Sequence, residues 1–306
     1  MRFAVDAWAP DYGASLDDAF LEPSDATVDL DYEMQVDRWR PVSAAEAGRA
    51  TILFVDGVQR IDARVWLTAD GGATRLGICA TFAAGVVRCD GAAAIEGAEV
   101  RRGLFTAASD AQAIQTRHGT YHVLAAAGES GEQLSLAVQQ RMSELERQVA
   151  ERAGAADLLV IDGPLRGRGH LQDAVGYIKS HRVGYLPGEL HSIVGDLAPG
   201  ERTPLFLMTT DWSRFSWYLR LPGGGGGHPW SGVVRCEASA DLSRDQVIAR
   251  ADRATALLPS FASSRHKDPR APQNLYPIAG LERELRRRSG DPTLLYRALL
   301  ASANRT

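Results

Sequence analysis

Two aspartates occupy equivalent places in two short apolar segments. Asp56 follows the apolar residues of FVDGV (54–58), and Asp162 follows those of VIDGPL (160–165), each directly before a glycine. An apolar run closed by Asp-Gly is typical of a β-strand that ends in a turn. If the two strands lie side by side and parallel, the two carboxylates repel each other unless a cation lies between them. The pattern predicts a site for Mg²⁺ or Mn²⁺, which prefer oxygen ligands, and two ordinary turn aspartates are the alternative.

A predicted helix over residues 132–153 supplies a third carboxylate between these segments. Its apolar stripe consists of Val138, Met142, Leu145 and Val149, which recur at helical spacing. At 100° per residue, Glu146 lies about 60° from the centre of this stripe, whereas Glu144 lies about 140° away. We therefore expect Glu146 at the border of the buried face and Glu144 in solvent.

Cationic side chains are grouped in two places, in the segment 263–282 and after Asp162. The segment 263–282 carries a group typical of metal or phosphate binding, although an exposed charged loop is an equal alternative: His266, Lys267, Asp268 and Arg270. Four further cationic or titratable side chains follow Asp162: Arg166, Arg168, Lys179 and His181. Cations just beyond a metal-carboxylate centre are where substrate phosphate oxygens would lie.

The order of the predicted elements indicates the fold class. Strands are predicted over residues 51–57, 60–67, 75–89 and 98–106, and again over 158–165, 174–181, 204–210, 216–221 and 232–239. Helices are predicted over 245–257 and 278–288, besides 132–153. An antiparallel meander followed by alternating helix and strands predicts one mixed α/β domain, spanning residues 46–306. Residues 1–45 are rich in acidic side chains and are predicted to be a loosely ordered segment.

Composition excludes several classes of protein. The 306 residues are 45% hydrophobic and 24% charged, and no apolar run approaches the ~20 residues of a membrane span. The N-terminus lacks the pattern of a secretory signal. Cys79, Cys89 and Cys236 form no CxxC pair, which excludes a four-cysteine zinc site and favours a reducing compartment. We expect a cytoplasmic protein without a membrane partner.

The ordered set of motifs resembles the NurA nuclease family over about residues 50–290. The motifs are FVDG, RMSELE, LLVIDGPL, GYIKSH, FSWYLRL and DPRAPQNLYPIAGLE. The resemblance implies a ribonuclease H-like fold, in which a three-strand antiparallel meander and parallel strands form a mixed sheet flanked by helices. It also implies a manganese-dependent DNA nuclease that forms a homodimer and works with a HerA-type hexameric ATPase.

The resemblance assigns roles to individual residues. Asp56 and Asp162 match the metal-binding aspartates of two strands, and Glu146 matches the helix glutamate, so these three are expected to be catalytic. Where the family often has Ala-His, this chain has Ala279-Gly280, and Asp268 or His266 is expected to replace the missing metal ligand. Two Mn²⁺ or Mg²⁺ ions would then act on the phosphodiester. The expected phosphate-binding set is Arg166, Arg168, Lys179, His181 and Arg270.

The resulting prediction is a divalent-metal-dependent deoxyribonuclease of DNA end resection and repair. A non-catalytic DNA-binding or ATPase-docking subunit with the same fold is the first alternative. The second alternative is a glycosidase, which uses a pair of carboxylates and usually binds its sugar on aromatic side chains. The tryptophans available for such platforms are Trp212, Trp217 and Trp230.

Overall fold

The computed structural model describes residues 22–46, 48–68, 72, 74–181, 183–224 and 230–304. The first eight strands are β1 Glu22–Pro23, β2 Thr27–Asp29, β3 Val42–Ser43, β4 Ile52–Thr68, β5 Thr74–Asp90, β6 Ala92–Thr106, β7 Ile114–Thr116 and β8 Gly119–Ala125. The others are β9 Leu158–Asp162, β10 Ala174–Ile178, β11 Val183–Gly184, β12 Glu201–Arg202, β13 Phe206–Thr209, β14 Ser213–Arg220 and β15 Val233–Ser239. The predicted mixed α/β class is confirmed, since a large mixed sheet is accompanied by helices.

Five α-helices and three short 3-10 helices accompany these strands in the described part of the chain. The α-helices are α1 Gly131–Arg152, α2 His191–Asp196, α3 Arg244–Leu257, α4 Tyr276–Arg288 and α5 Pro292–Ala303. The 3-10 helices are Val36–Arg38, Gly188–Leu190 and Leu258–Phe261. Within the described residues, none of these helices is both long and apolar enough to cross a membrane.

The chain packs into two compact units. Unit 1 contains the described residues up to Phe54, together with Arg88–Ala93 and Ala155–Ala279. Unit 2 contains Val55–Val87, Ala94–Gly154 and the described residues from Gly280 onwards. Strands β4, β5 and β6 and helix α4 each contribute residues to both units.

Unit 1 is organised around strands β9 and β10, which are parallel neighbours. In their register Asp162 lies opposite Tyr177, so the end of β9 lies beside the residues that follow β10. Strands β10 and β14 each pair antiparallel with β15, and β13 pairs antiparallel with β14. The residues of β9 before Asp162 are buried, as expected of an apolar run without alternation.

Residues 22–45 form part of the packed structure of unit 1. Strand β2 pairs antiparallel with β13, and Trp39 is buried in a cluster that includes Phe206 and Tyr218. The Glu33 carboxylate receives two hydrogen bonds from the buried Arg202 guanidinium. The predicted acidic segment therefore has a place in the fold from residue 22, while its residues 1–21 lie outside the described residues. The boundary at residue 46 stays a prediction.

In unit 2, strand β6 lies next to β5 and pairs parallel with β8, which pairs antiparallel with β7. Helix α1 begins with a capping box, in which Ser130 and Gln133 exchange side-chain to backbone hydrogen bonds. Its buried face consists of Leu134, Ala137, Val138, Leu145, Glu146, Val149 and Ala150. The predicted helix over 132–153 is thus confirmed, whereas α5 was not predicted.

Strand β4 differs from its prediction. The predicted strands over 51–57 and 60–67 form one continuous strand from Ile52 to Thr68, so the expectation that Asp56 ends a strand is wrong. The glycine after Asp56 serves a close approach rather than a turn: a Cβ at Gly57 would lie 2.5 Å from Glu146 Oε1. At the second motif the expected turn is present, because β9 ends at Asp162 and Gly163 has a φ of +106°.

Candidate metal centre

Asp56 and Glu146 are neighbours within unit 2. Asp56 is 6% exposed, and its Oδ1 accepts a hydrogen bond of 2.8 Å from the Gly57 amide. Glu146 is 5% exposed, and its carboxylate lies against the backbone of β4 at Gly57. Any side chain at position 57 would displace Glu146. Glu146 therefore lies at the residue of β4 that follows Asp56.

The helix-face prediction for α1 is confirmed. Glu146 belongs to the buried face of the helix, whereas the Glu144 side chain is 41% exposed and forms an ion pair of 2.9 Å with Arg141. An i,i+3 pair in solvent contributes only a few tenths of a kcal/mol. Glu144 is thus a surface residue, and Glu146 is the residue of this helix that can take part in a site.

In unit 1, Asp162 is held by Lys179. The Lys179 ammonium donates a hydrogen bond of 2.5 Å to Asp162 Oδ2 and one of 3.1 Å to Asn274 Oδ1. Both members of the ion pair are largely buried, with side chains 13% and 14% exposed. Lys179 was predicted to bind phosphate. In the structure its ammonium is directed at a candidate metal ligand.

Asp268 fixes the side chain of Asn274, which in turn accepts a hydrogen bond from Lys179. Its Oδ1 accepts from the Arg270 amide at 2.7 Å, and its Oδ2 accepts from Asn274 Nδ2 at 2.7 Å. Because Asn274 is fixed in this way, its Oδ1 is turned towards Lys179. A chain of hydrogen bonds thus runs from Asp268 through Asn274 and Lys179 to Asp162.

A cluster of three carboxylates has the spacing of metal ligands among the described residues. Asp56, Asp162 and Glu282 each offer one oxygen, and these three atoms lie within 4.8 Å of one another. Like charges this close are unfavourable without a neutralising cation. Three carboxylate oxygens are a donor set that suits Mg²⁺ or Mn²⁺ rather than zinc.

Glu282 belongs to this cluster although the sequence motifs do not predict it, while Glu146 is not a member, so its role as a ligand stays a prediction. Neither Asp268 nor His266 belongs to this cluster: Asp268 is occupied by its own hydrogen bonds, and His266 is exposed. The signal for Glu282 was present in the sequence. The apolar repeat of helix α4 is Ile278, Leu281 and Leu285, all fully buried, and Glu282 takes the remaining position of an i, i+3, i+4, i+7 stripe.

Two of the predicted phosphate-binding residues have partners of their own. The exposed Arg166 forms an ion pair with Asp211. The Arg270 side chain is 13% exposed, and its Nε lies 3.6 Å from Asp268 Oδ1. Arg168, a third member of the set, is itself only 6% exposed. Pairing with Asp211 and Asp268 offsets the charge of Arg166 and Arg270 within the protein.

His181 is not the cation that was expected. Its Nε2 donates to the Val233 carbonyl at 3.0 Å, and its ring packs against Tyr218 and Trp230. Burial lowers the pKa of His181 to about 4, even though the hydrogen bond to the Val233 carbonyl acts in the opposite direction. The imidazole is therefore neutral near pH 7, and it has no charge to offer a phosphate.

The three tryptophans named for a sugar platform each pack against other side chains in the described structure. Trp217 is fully buried, Trp230 packs edge-on against Tyr218, and Trp212 lies beneath the Arg214 guanidinium at 4.6 Å. These rings are engaged in packing and cation–π contact. The glycosidase alternative loses the feature that suggested it.

No protein-family model matches this chain, and no curated protein matches it. Among solved structures, the chain is similar to the crystal structure of the NurA nuclease from Sulfolobus solfataricus. The two chains are 10% identical, the alignment covers 81% of each, and the TM-score is 0.49.

Proposed function

We propose that this protein is a divalent-metal-dependent deoxyribonuclease that hydrolyses phosphodiester bonds. The observation that carries the proposal is the cluster of Asp56, Asp162 and Glu282, which offers three oxygens within 4.8 Å of one another. When bound to such carboxylates, one or two Mn²⁺ or Mg²⁺ ions supply an activated water and stabilise the leaving oxygen. The ordered motifs around these residues, which resemble those of NurA nucleases, support DNA as the substrate.

Each residue of the site has a distinct task in this proposal. Asp56, Asp162 and Glu282 hold the metal. Glu146, whose carboxylate lies against Gly57, would hold a second ion. Lys179 fixes the rotamer of Asp162 through a hydrogen bond of 2.5 Å and adds a positive charge next to the substrate phosphate.

The wider role is proposed on the motif resemblance. We propose that the protein forms a homodimer in the cytoplasm and degrades DNA ends during repair, together with a HerA-type hexameric ATPase. Co-purification and size-exclusion chromatography test the two assemblies separately. A loss of either assembly would leave the proposed chemistry of the carboxylates unaffected.

A non-catalytic DNA-binding or ATPase-docking subunit remains the second candidate. One observation favours it: the Lys179 ammonium pairs directly with Asp162 and neutralises part of the charge that a metal would neutralise. The two candidates differ in one assay. A nuclease cleaves linear DNA in Mn²⁺, and the cleavage stops when EDTA is added. A non-catalytic subunit binds the same DNA in both conditions without cleaving it.

Substitutions in helix α1 test the role of Glu146. We expect Glu146→Gln to lower Mn²⁺-dependent cleavage about a hundredfold, because a neutral amide is a poor ligand for a hard cation. The matched control Glu144→Gln removes a surface ion pair of the same helix and is expected to change the rate less than twofold. Equal losses in the two variants would show that the buried face of α1 does not contribute to catalysis.

A substitution of Asp268 distinguishes a role in protein stability from a role as a metal ligand. We expect Asp268→Ala to lower the free energy of unfolding by about 2–4 kcal/mol, because two hydrogen bonds to a buried carboxylate are lost. The Mn²⁺ concentration that gives half-maximal cleavage is expected to stay within about twofold below the melting temperature. Asp110→Ala, at an exposed turn, is the control for stability. A large rise in the Mn²⁺ requirement of Asp268→Ala would restore Asp268 as a ligand.

A further inference from the structure

Helix α4 carries arginines of two kinds beyond Glu282. Arg287 and Arg288 both bind Glu284, at 2.6 Å and 2.7 Å. Arg286 is exposed, and none of the hydrogen bonds and ion pairs among the described residues involves it. Arg283 is exposed as well. Helix α4 therefore has two arginines whose charge is balanced by Glu284, and two, Arg283 and Arg286, whose charge is not.

The end of the helix does not explain Arg286. Arginines near a helix C-terminus often interact with its last carbonyl groups. Here other arginines do so: Arg60 Nη1 donates to the Gly290 carbonyl at 2.9 Å, and Arg102 Nη2 donates to the Ser289 carbonyl at 3.2 Å. The guanidinium of Arg286 is thus available to a ligand.

The position of Arg286 relates it to Glu282. Four residues of α-helix correspond to a rotation of about 40° and a rise of about 6 Å, so the two side chains share one face of α4. Arg283 lies about 100° from Glu282, Arg287 about 140°, and Arg288 about 120° on the other side. Arg286 is therefore the arginine of this group on the same face as the candidate metal ligand.

We infer that Arg286 binds a phosphate of the substrate strand one or two nucleotides from the bond that is cut. The inference rests on the proposed function, which places the scissile phosphate at Glu282. Phosphates of one DNA strand recur every ~3.4 Å along the duplex axis, so a rise of about 6 Å along α4 spans one or two of them. An arginine–phosphate contact fixes the register of the strand without reading its sequence.

DNA binding in EDTA tests Arg286 without any requirement for cleavage. Across a salt series, we expect Arg286→Ala to bind about five- to tenfold more weakly than the unaltered protein, with a salt slope shallower by about 0.7–0.9. Arg286→Lys should keep the slope, because the charge is retained. The matched control Arg287→Ala should bind within about twofold, and thermal melting should show that all three variants are folded.

The outcomes separate this inference from the proposed function. Equal effects of Arg286→Ala and Arg287→Ala, or no DNA binding by the unaltered protein, would overturn the inference whatever the cleavage assay shows. If Arg286→Ala alone weakens binding but the unaltered protein does not cleave DNA in Mn²⁺, the phosphate contact stands and the nuclease function is refuted. A single neutral methylphosphonate one or two positions from the cut should slow the unaltered nuclease and leave Arg286→Ala unaffected.

Discussion

Asp56→Asn and Asp162→Asn are each expected to lower Mn²⁺-dependent DNA cleavage by about a thousandfold or more. Both residues belong to the carboxylate cluster with Glu282, and asparagine keeps the shape of the side chain while removing its charge. The lost stabilisation of the transition state by the metal amounts to several kcal/mol, and 1.36 kcal/mol corresponds to a factor of ten in rate. Single-turnover cleavage of an end-labelled duplex in a manganese series measures the effect.

The controls for these variants concern folding and purity. Circular dichroism of both variants should match the unaltered protein. Thermal melting of Asp56→Asn should match it too, since removing one of several crowded carboxylates relieves repulsion, whereas Asp162→Asn should melt at a lower temperature because Lys179 loses its anionic partner. Glu144→Gln, purified identically, should cleave like the unaltered protein and exclude loss during preparation. Cleavage at the unaltered rate by either aspartate variant, free of contaminating nuclease, would remove the metal mechanism.

Arg202→Met is expected to lower the free energy of unfolding by about 3–5 kcal/mol, which is the typical cost of breaking a buried ion pair from one side. Arg202 is fully buried. Its Nη1 lies 2.7 Å from Glu33 Oε2, and its Nη2 lies 2.7 Å from Asp252 Oδ1. Methionine fills much of the space but leaves the Glu33 carboxylate without its cation. Urea denaturation measures the loss.

Arg49→Met is the matched control for Arg202→Met. Arg49 pairs with Asp90 at 3.0 Å, but its side chain is 80% exposed, and pairs of this kind contribute less than about 1 kcal/mol. If Arg202→Met costs no more than Arg49→Met, then residues around Glu33 do not contribute to the stability of unit 1. That result would support the prediction from the sequence that the residues around Glu33 belong to a loosely ordered segment.

Local patterns predicted most elements, but they did not predict why two motifs of similar sequence differ. Helix α1 followed from its apolar stripe, and β9 from an unbroken apolar run. Asp-Gly was interpreted as a turn at both motifs. It ends β9 at Asp162, yet at Asp56 the strand continues, because Gly57 makes room for Glu146 from a distant helix. The contact between Gly57 of β4 and Glu146 of α1 distinguishes the first motif from the second. A local sequence pattern does not contain such a contact between elements.

The candidate site was predictable where a carboxylate broke an apolar pattern. Asp56 and Asp162 can be selected in this way and belong to the cluster, and Glu282 of helix α4 fits the same pattern. Glu146 fits it too but is not a member of the cluster, so its role stays a prediction. The cations were harder to predict, because their use depends on partners that are distant in sequence. His181 meets the Val233 carbonyl and loses its charge, and Lys179 meets Asp162. A basic residue near a motif therefore identifies a charge but not its partner.

Mn²⁺ binding to Glu282→Gln tests the metal centre proposed at Asp56, Asp162 and Glu282. Glu282 is the member of that centre that the sequence motifs do not predict. The electron paramagnetic resonance signal of free Mn²⁺ in a titration counts bound ions without any need for DNA. The dissociation constant is predicted to rise about tenfold or more in Glu282→Gln, while Asp268→Ala, measured below its melting temperature, binds like the unaltered protein. Unaltered Mn²⁺ binding by Glu282→Gln would contradict the proposed metal centre.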